Sequence, residues 1–345
     1  MQELLKRSSP ASKAYWRAMS IAGQWLWLML RIQPKSIGFD AGLLTWLRER
    51  RHHRLRRPIH ICLLENYPVE GRFGRFMKFW INERSYICSA SLNERVEDAD
   101  IVWVFSQDPL PPDTKEEVLL TLKKARSGAV VINHPSVYNS YHEISSFRLL
   151  DKVGIGVPRT EFDARDIGKT MVVYKMADKQ SSPKFLSLYK GEVAGFRAFE
   201  FIDSRTSEGL YRKYRVLYIA GVIFPEFILY SDQWNVIWKS KKDIECLFEI
   251  QPVEAEMVHK IADALKIQYF TIDYVKKISD GSRVVTDVNV YPLPIAYTEA
   301  VSKRGYYGRW LRFDDDLWSR TNRSPGLFWN KFDQAMENLV RDKAQ

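Results

Sequence analysis

From Pro58 onward, short apolar runs alternate with helix-patterned stretches, a rhythm that predicts a mixed α/β chain. "PIHICLLE" (58–65), "SYICSA" (85–90), "DIVWVFS" (100–106) and "GAVVINHP" (128–135) read as strands. Val118 to Ala125, introduced by "PPDTKEE", reads as a helix capped by Asp113 or Thr114. Residues 58–135 therefore predict a small α/β lobe on a parallel sheet. It has no G-x-G-x-x-G turn, which argues against a dinucleotide-binding lobe.

A longer region, 136–330, opens with a helix over 142–152. Strands follow at "KTMVVYK" (169–175), "AGFRAFEFID" (194–203) and "KYRVLYIAG" (213–221), then a helix over 253–266. "YFTIDYV" (269–275) and "RVVTDVNVY" (283–291) read as a hairpin around "SDGS", with Asp280-Gly281 as the turn signal. A helix from Leu327 to about Val340, apolar at Phe328, Phe332, Ala335 and Leu339, reads as packing only, and 331–345 as its end and tail. The chain shows no internal repeat.

Composition bounds this picture. The 345 residues are 46% hydrophobic and 13% aromatic, enough for two or three packed lobes. Cys62, Cys88 and Cys246 lie far apart, with neither metal-ligand spacing nor a disulfide framework, as suits a reducing cytoplasm. The charge is placed unevenly: residues 1–57 hold twelve Lys and Arg against Glu3, Asp40 and Glu49, or +9 of the total +10. An argument from basicity to a partner therefore concerns this Trp/Leu-rich helical extension alone. Its longest uncharged apolar stretch, Ala18 to Leu30, is 13 residues, too short to span a bilayer as a helix. Arg31, Gln33 and Pro34 follow it in place of a signal-cleavage site. Two readings stay open: helices packed on the main body, or peripheral docking on an anionic membrane surface or a protein partner. No recognised nucleic-acid motif accompanies it.

The candidate chemistry sits in the hairpin. Asp273 lies in one strand, and Asp287 and Asn289 lie two apart in the next, so they share a face. Three oxygen-bearing side chains among apolar strand residues suit Mg²⁺, which takes a few protein oxygens and completes its shell with water and phosphates.

The order helix–"YFTIDYV"–turn–"VVTDVNVYP" resembles the C-terminal core of ATP-grasp enzymes, where an Asp and an acidic-x-Asn hold Mg²⁺. Upstream, "LLDKVGIGVPRTEF" (149–162) resembles the lead into that family's ATP-binding subdomain, and "MVVYK" (171–175) the strand whose lysine, here Lys175, contacts ATP phosphates. "FRAFEFID" (196–203) resembles the hinge that holds adenine and ribose, which implies Glu200, Phe201, Ile202 and Asp203, with Glu208 as a substitute acid. "YRVLYIAG" (214–221) resembles the strand whose arginine, here Arg215, faces phosphate or acyl phosphate.

The resemblance covers about 58–300 and implies an N-terminal α/β lobe beside a two-lobed nucleotide-binding region. It further implies ATP and Mg²⁺ as cofactors, and a ligase joining a carboxylate to an amine or thiol through an acyl phosphate. The chain departs from the family at three places. Glu143 stands near the earlier lysine, "MADKQSSPKFLSLYKGEVAG" (176–195) replaces the glycine-rich flap, and Asp287 replaces a glutamate. In that flap Lys179, Lys184 or Lys190 are candidates to cover phosphates. A non-catalytic nucleotide-binding or membrane-docked scaffold with a degenerate form of that fold is the alternative reading. No serine or cysteine nucleophile carries a legible base, and "SKRGYYGRWLR" (302–312) is a candidate anionic-acceptor loop.

Overall fold

The computed structural model describes residues 57–65, 74, 77–78, 81–82, 85–106, 110–137, 144–176, 184–237, 240–246, 248–292 and 325–344. The readings made for 1–57, Glu143, Lys179 and the loop 302–312 fall outside the described residues, Arg57 apart. Among the described residues no helix is long and apolar enough to cross a membrane.

The N-terminal sheet takes β1 (Ile59–Leu64), β2 (Cys88–Leu92), β3 (Ile101–Val104) and β4 (Val130–Ile132) in the order β2-β1-β3-β4, all parallel. Such a sheet is buried on both faces, and β1 and β3 are buried at every position. Helix α1 (Pro112–Leu122) packs Val118 on one face with Cys62, Leu64, Val102 and Val104. Its start corrects the expected side-chain cap: Pro111 is the N-cap and Pro112 enters the first turn, with no side-chain cap bond. Proline at the first helical position fixes φ and has no N–H to satisfy, so Asp113 and Thr114 fall inside the helix.

The middle of the chain forms α2 (Ile144–Lys152) and then β5 (Met171–Met176), β6 (Lys184–Leu188) and β7 (Phe196–Glu200), a three-stranded antiparallel sheet ordered β6-β5-β7. β8 (Tyr211–Ile219), β9 (Val222–Ser231), β10 (Asp243–Cys246), β11 (Tyr269–Lys276) and β12 (Arg283–Asn289) form the central antiparallel sheet, ordered β10-β9-β8-β11-β12. Between β10 and β11 lies α3 (Pro252–Leu265), opened by a Gln251–Glu254 capping box. β6, β9 and β10 were not expected from sequence. Pro225 disguises β9, and the structure absorbs it at a bulge where Arg215 pairs with Phe227 but Val216 with Pro225. Ala220 and Gly221, both with positive φ, close the β8–β9 hairpin as a two-residue turn.

Strand alternation divides the central sheet. Tyr214, Val216 and Tyr218 of β8 and Phe270, Ile272 and Tyr274 of β11 face α2 and α3 in one core. Leu217, Ile219 and Tyr269, on the opposite face, join Trp103 and Phe105 of the N-terminal sheet in a second core. The last helix, α4 (Pro325–Ala344), adds Trp329, Phe332, Ala335 and Met336 to that second core. Its Asp333 accepts hydrogen bonds from the Ser85 hydroxyl and the Tyr86 N–H, so the end of the chain is tied to the N-terminal lobe.

One asparagine fixes the lobes to each other. The Asn133 amide oxygen accepts from the Gln268 and Tyr269 N–H groups at 3.0 and 3.1 Å, and its amide nitrogen donates to the Tyr269 carbonyl at 2.6 Å. Asn133 adopts φ 57°, a left-handed conformation that asparagine tolerates better than other residues with a Cβ. Asn133→Ala removes three hydrogen bonds, two of them buried, and keeps the strained backbone. Urea unfolding should show a loss of about 2–4 kcal/mol. A loss under about 0.5 kcal/mol would mean that the cores alone set the lobe geometry.

Candidate functional site

The central-sheet face that packs on the N-terminal lobe at one end carries charge farther along. On β8 the alternation that sends Leu217 and Ile219 into the core sends Lys213 and Arg215 to the same side. Arg215 pairs in register with Asp273 on β11, and Asp273 with Asp287 on β12, so the three cross the sheet in one row. Asn289 follows two residues after Asp287, opposite Thr271. The hairpin thus brings Asp273, Asp287 and Asn289 to one face, although the turn is a six-residue connection, 277–282, with Gly281 at φ 70°.

Asp273 is 4% exposed and strongly engaged. Arg215 donates Nε to its Oδ1 at 2.6 Å and a terminal nitrogen to its Oδ2 at 2.9 Å, and Lys213 Nζ lies 2.9 Å from the same Oδ2. Desolvation alone would raise this carboxyl, but Arg215 and then Lys213 hold it far below the usual carboxylate range. The Arg215 guanidinium lies 5.4 Å from the centre of the Phe227 ring. Burial works against its charge, and Asp273 first and Glu226 after it keep it protonated. Glu226, 3% exposed, is the extra residue of the β9 bulge.

The small sheet supplies the opposing wall. Lys184, Lys175 and Arg197 are register partners across β6, β5 and β7 and share a face. Lys175 is 8% exposed, and burial and then Lys184 push it down to about 7 against the pull of Asp287. Lys184 keeps exposed surface yet is shifted down by desolvation, with Asp287 opposing and Lys213 adding to the shift. Asp287 moves the other way, up to about 6, through burial and the Asp273 charge, with Lys184, Arg215 and Lys175 opposing.

Lys175, Lys184, Lys213 and Arg215 therefore converge on Asp273 and Asp287. Cations outnumber carboxylates in the described cleft even when Glu226 is counted. This charge set suits a compact, multiply charged anion such as a polyphosphate.

The donor set also fits a hard cation. Among the described residues no three His, Cys, Asp or Glu side chains group as metal ligands, so a metal would rest on two carboxylates and the Asn289 amide. Asn289 Oδ1 accepts the Tyr291 N–H at 2.9 Å and keeps a second lone pair, and Asp273 Oδ1 likewise accepts from Arg215 Nε. An all-oxygen set of this kind suits Mg²⁺ with water and phosphate completing the shell.

The expected hinge lies beyond the lysines. Glu200 ends β7, and its Oε2 accepts the Arg159 N–H at 3.3 Å. The Phe201 N–H is engaged by the Met171 carbonyl at 3.1 Å, whereas no hydrogen bond among the described residues uses the Ile202 backbone. Asp203 is held by Arg205, whose Nε lies 3.0 Å from each carboxylate oxygen, and this bond keeps its pKa low. Glu208 is exposed in the following turn, and no hydrogen bond or ion pair joins its side chain to the charged cluster. Lys190 is likewise exposed and enters through its backbone N–H, which donates to the Tyr174 hydroxyl. Lys213 is the residue that sequence reading passed over: in "YRKYR" it looks like one of a solvated charge run, and only its position two before Arg215 on a strand gives it away.

No protein-family model and no curated protein matches the chain. Solved structures do match. A complex of the ATP-grasp ligase PsnB with a phosphomimetic variant of its minimal precursor, Mg and ADP superposes with TM-score 0.51 at 14% identity, covering 81% of this chain and 98% of that one. A PsnB complex with the minimal precursor gives TM-score 0.50 at 14% identity over 80% and 99%. The chain has the ATP-grasp fold, with its mixed parallel and antiparallel sheets.

The raised Asp287 pKa makes a signed prediction. In the unfolded chain the carboxyl ionises near 3.8 and in the folded protein near 6, so its charged form is the costlier one when folded. Its cost is absent below about pH 4, develops between about pH 4 and 6, and is constant above that. Asp287→Asn should therefore stabilise the ligand-free protein by about 1–3 kcal/mol at pH 7.5, a gain that shrinks to nothing near pH 4. Urea unfolding across pH measures it, and a less stable variant at pH 7.5 would contradict the electrostatics described.

Proposed function

We propose that this ATP-grasp protein is an ATP-dependent ligase that joins a carboxylate to an amine through an acyl phosphate, with a peptide as one substrate. The observation that carries the reading is the cation-rich cleft, in which Lys175 and Lys184 of the small sheet oppose Lys213 and Arg215 of the central sheet over Asp273 and Asp287. Charge of this kind, partly buried and with shifted lysines and a shifted carboxylate, marks a site built for a ligand rather than for stability. The PsnB complexes, which share this fold, hold precursor peptides, and this supports a peptide as one substrate.

In this reading the base rests at the 200–203 hinge, where the Ile202 backbone is available to an adenine edge. Lys175 and Arg215 hold and neutralise the transferred phosphoryl group. A substrate carboxylate oxygen attacks the γ-phosphorus, the bond to the β-γ bridging oxygen breaks, and ADP leaves. The amine nitrogen then attacks the acyl carbon, phosphate departs with the carbon–oxygen bonding pair, and the amine loses a proton. Mg²⁺ on Asp273, Asp287 and Asn289 supplies charge neutralisation along the phosphates when bound. The protein's part is positioning and fixed charge, and no side-chain nucleophile is needed.

Incubation with Mg²⁺, ATP, a carboxylate-bearing peptide and hydroxylamine tests this directly. Hydroxamate and ADP should form in equal amounts, and Asp287→Ala should lower both by at least about 100-fold. ADP formation that survives Asp287→Ala would overturn the metal assignment. Nucleotide binding without turnover on any acid would favour the scaffold reading.

A further inference from the structure

One row beyond the charged band, the same face of the central sheet changes character. Leu217 on β8, Thr271 on β11 and Asn289 on β12 are register partners. Their row lies between the Arg215–Asp273–Asp287 row and the core in which Ile219 and Tyr269 meet Trp103. Same-face neighbours on a strand are about 7 Å apart, so Thr271 stands one such step from Asp273. None of the three side chains in this second row is charged.

Thr271 is 1% exposed, and its Oγ1 has no hydrogen-bond partner among the described residues. A hydroxyl taken out of water without a partner is costly, and valine has the same branched shape without that cost. Strand preference gives no reason to choose threonine, since both residues are β-branched. The polar groups around it are engaged. Arg215 and Lys213 hold Asp273, the Tyr291 N–H reaches Asn289 Oδ1, and the Tyr269 hydroxyl donates to the Pro292 carbonyl at 2.6 Å. Thr271 thus carries a donor that the folded chain does not use, on the face of the cleft and beside the metal triad.

In the ligase reading the base sits at the Phe201 end of β8, and the phosphates run toward the Arg215 row. The γ-phosphorus then turns its outer side to the Thr271 row, and the attacking carboxylate has to come from there. It arrives beside Asp273 and Asp287, whose charge opposes it. A neutral hydroxyl in an uncharged row can receive this acid without competing for the phosphates, as a cation there would.

We propose that the Thr271 hydroxyl is a catalytic donor to the acyl group, bonded to the substrate carboxylate oxygen that does not attack phosphorus. That oxygen becomes the carbonyl oxygen of the acyl phosphate. It takes up negative charge when the amine adds to the carbon, and it returns to a carbonyl as the bond to the phosphate oxygen breaks with its electron pair. The hydroxyl stabilises the charge without giving up its proton. The assignment rests on the ligase reading above and adds the residue that receives the acid.

Three measurements test it together: hydroxamate formation, thermal unfolding of the ligand-free protein, and calorimetric titration with Mg-ADP. The turnover probe is a pool of synthetic peptides bearing aspartate and glutamate side chains, with Mg-ATP and hydroxylamine. Thr271→Val should lower hydroxamate formation by at least about tenfold and leave Mg-ADP affinity within about twofold. It should unfold at the same temperature or up to about 3 °C higher, because a buried unpaired hydroxyl has gone. Thr271→Ser keeps the hydroxyl and loses a buried methyl, so it should unfold at a lower temperature yet retain most of the turnover. A structural threonine cannot give this crossing of stability and turnover. Unchanged hydroxamate formation in Thr271→Val, a parallel loss of Mg-ADP affinity, or an unfolding temperature lowered by more than about 2 °C would each overturn the assignment. If the unsubstituted protein forms no hydroxamate, the ligase reading itself falls and takes the Thr271 role with it.

Discussion

The bidentate pair between Arg215 and Asp273 organises the cleft. It spans neighbouring strands of the central sheet, is almost closed to solvent at the carboxylate, and places Lys213 and Asp287 on either side. A buried pair of this kind is a poor device for stability, because desolvating two charges offsets most of their attraction, whereas removing one partner costs about 3–5 kcal/mol. Its retention makes sense if the charges are wanted for a ligand. The same face, a few residues along β8, is apolar enough to seal against the N-terminal lobe. One strand therefore delivers both the inter-lobe core and the charged band, and the period of two residues keeps them in line.

Electrostatics in the ligand-free cleft is correspondingly unbalanced. Lys175 is pushed down to about 7 by burial and by Lys184, and Asp287 up to about 6 by burial and by Asp273. Both shifts mean that the charged form of each group costs more in the folded protein than in water. A magnesium polyphosphate relieves both at once, since the metal favours ionised Asp287 and the phosphates favour charged lysine. Strain of this sort is expected where binding rather than folding has set the residues.

Much of the scaffold was legible in the sequence, and the reasons are local. The i, i+2 spacing of Asp287 and Asn289, with Asp280-Gly281 between the strands, predicts the hairpin and the shared face that the structure has. β9 was hidden because Pro225 breaks the apparent run, and only the bulge opposite Arg215 shows how a proline fits there. The capture of Asp203 by Arg205, two residues on, competes with any role at ribose and depends on a turn that spacing does not reveal. Lys184 and Lys213 belong to two different sheets yet influence each other's charge, a relation that no window along the chain contains. Pairings within one strand or hairpin can be read from periodicity; pairings between lobes need the fold.

The central claim is that the charged band is a magnesium-nucleotide site. A crystal structure grown with Mg²⁺ and a non-hydrolysable ATP analogue tests it most directly. The account predicts the base against the 200–203 hinge, phosphates between Lys175 and Lys184 on one side and Lys213 and Arg215 on the other, and the metal on Asp273, Asp287 and Asn289. A nucleotide bound elsewhere, or a cleft whose Asp273 and Asp287 contact neither metal nor phosphate-bound water, would contradict it.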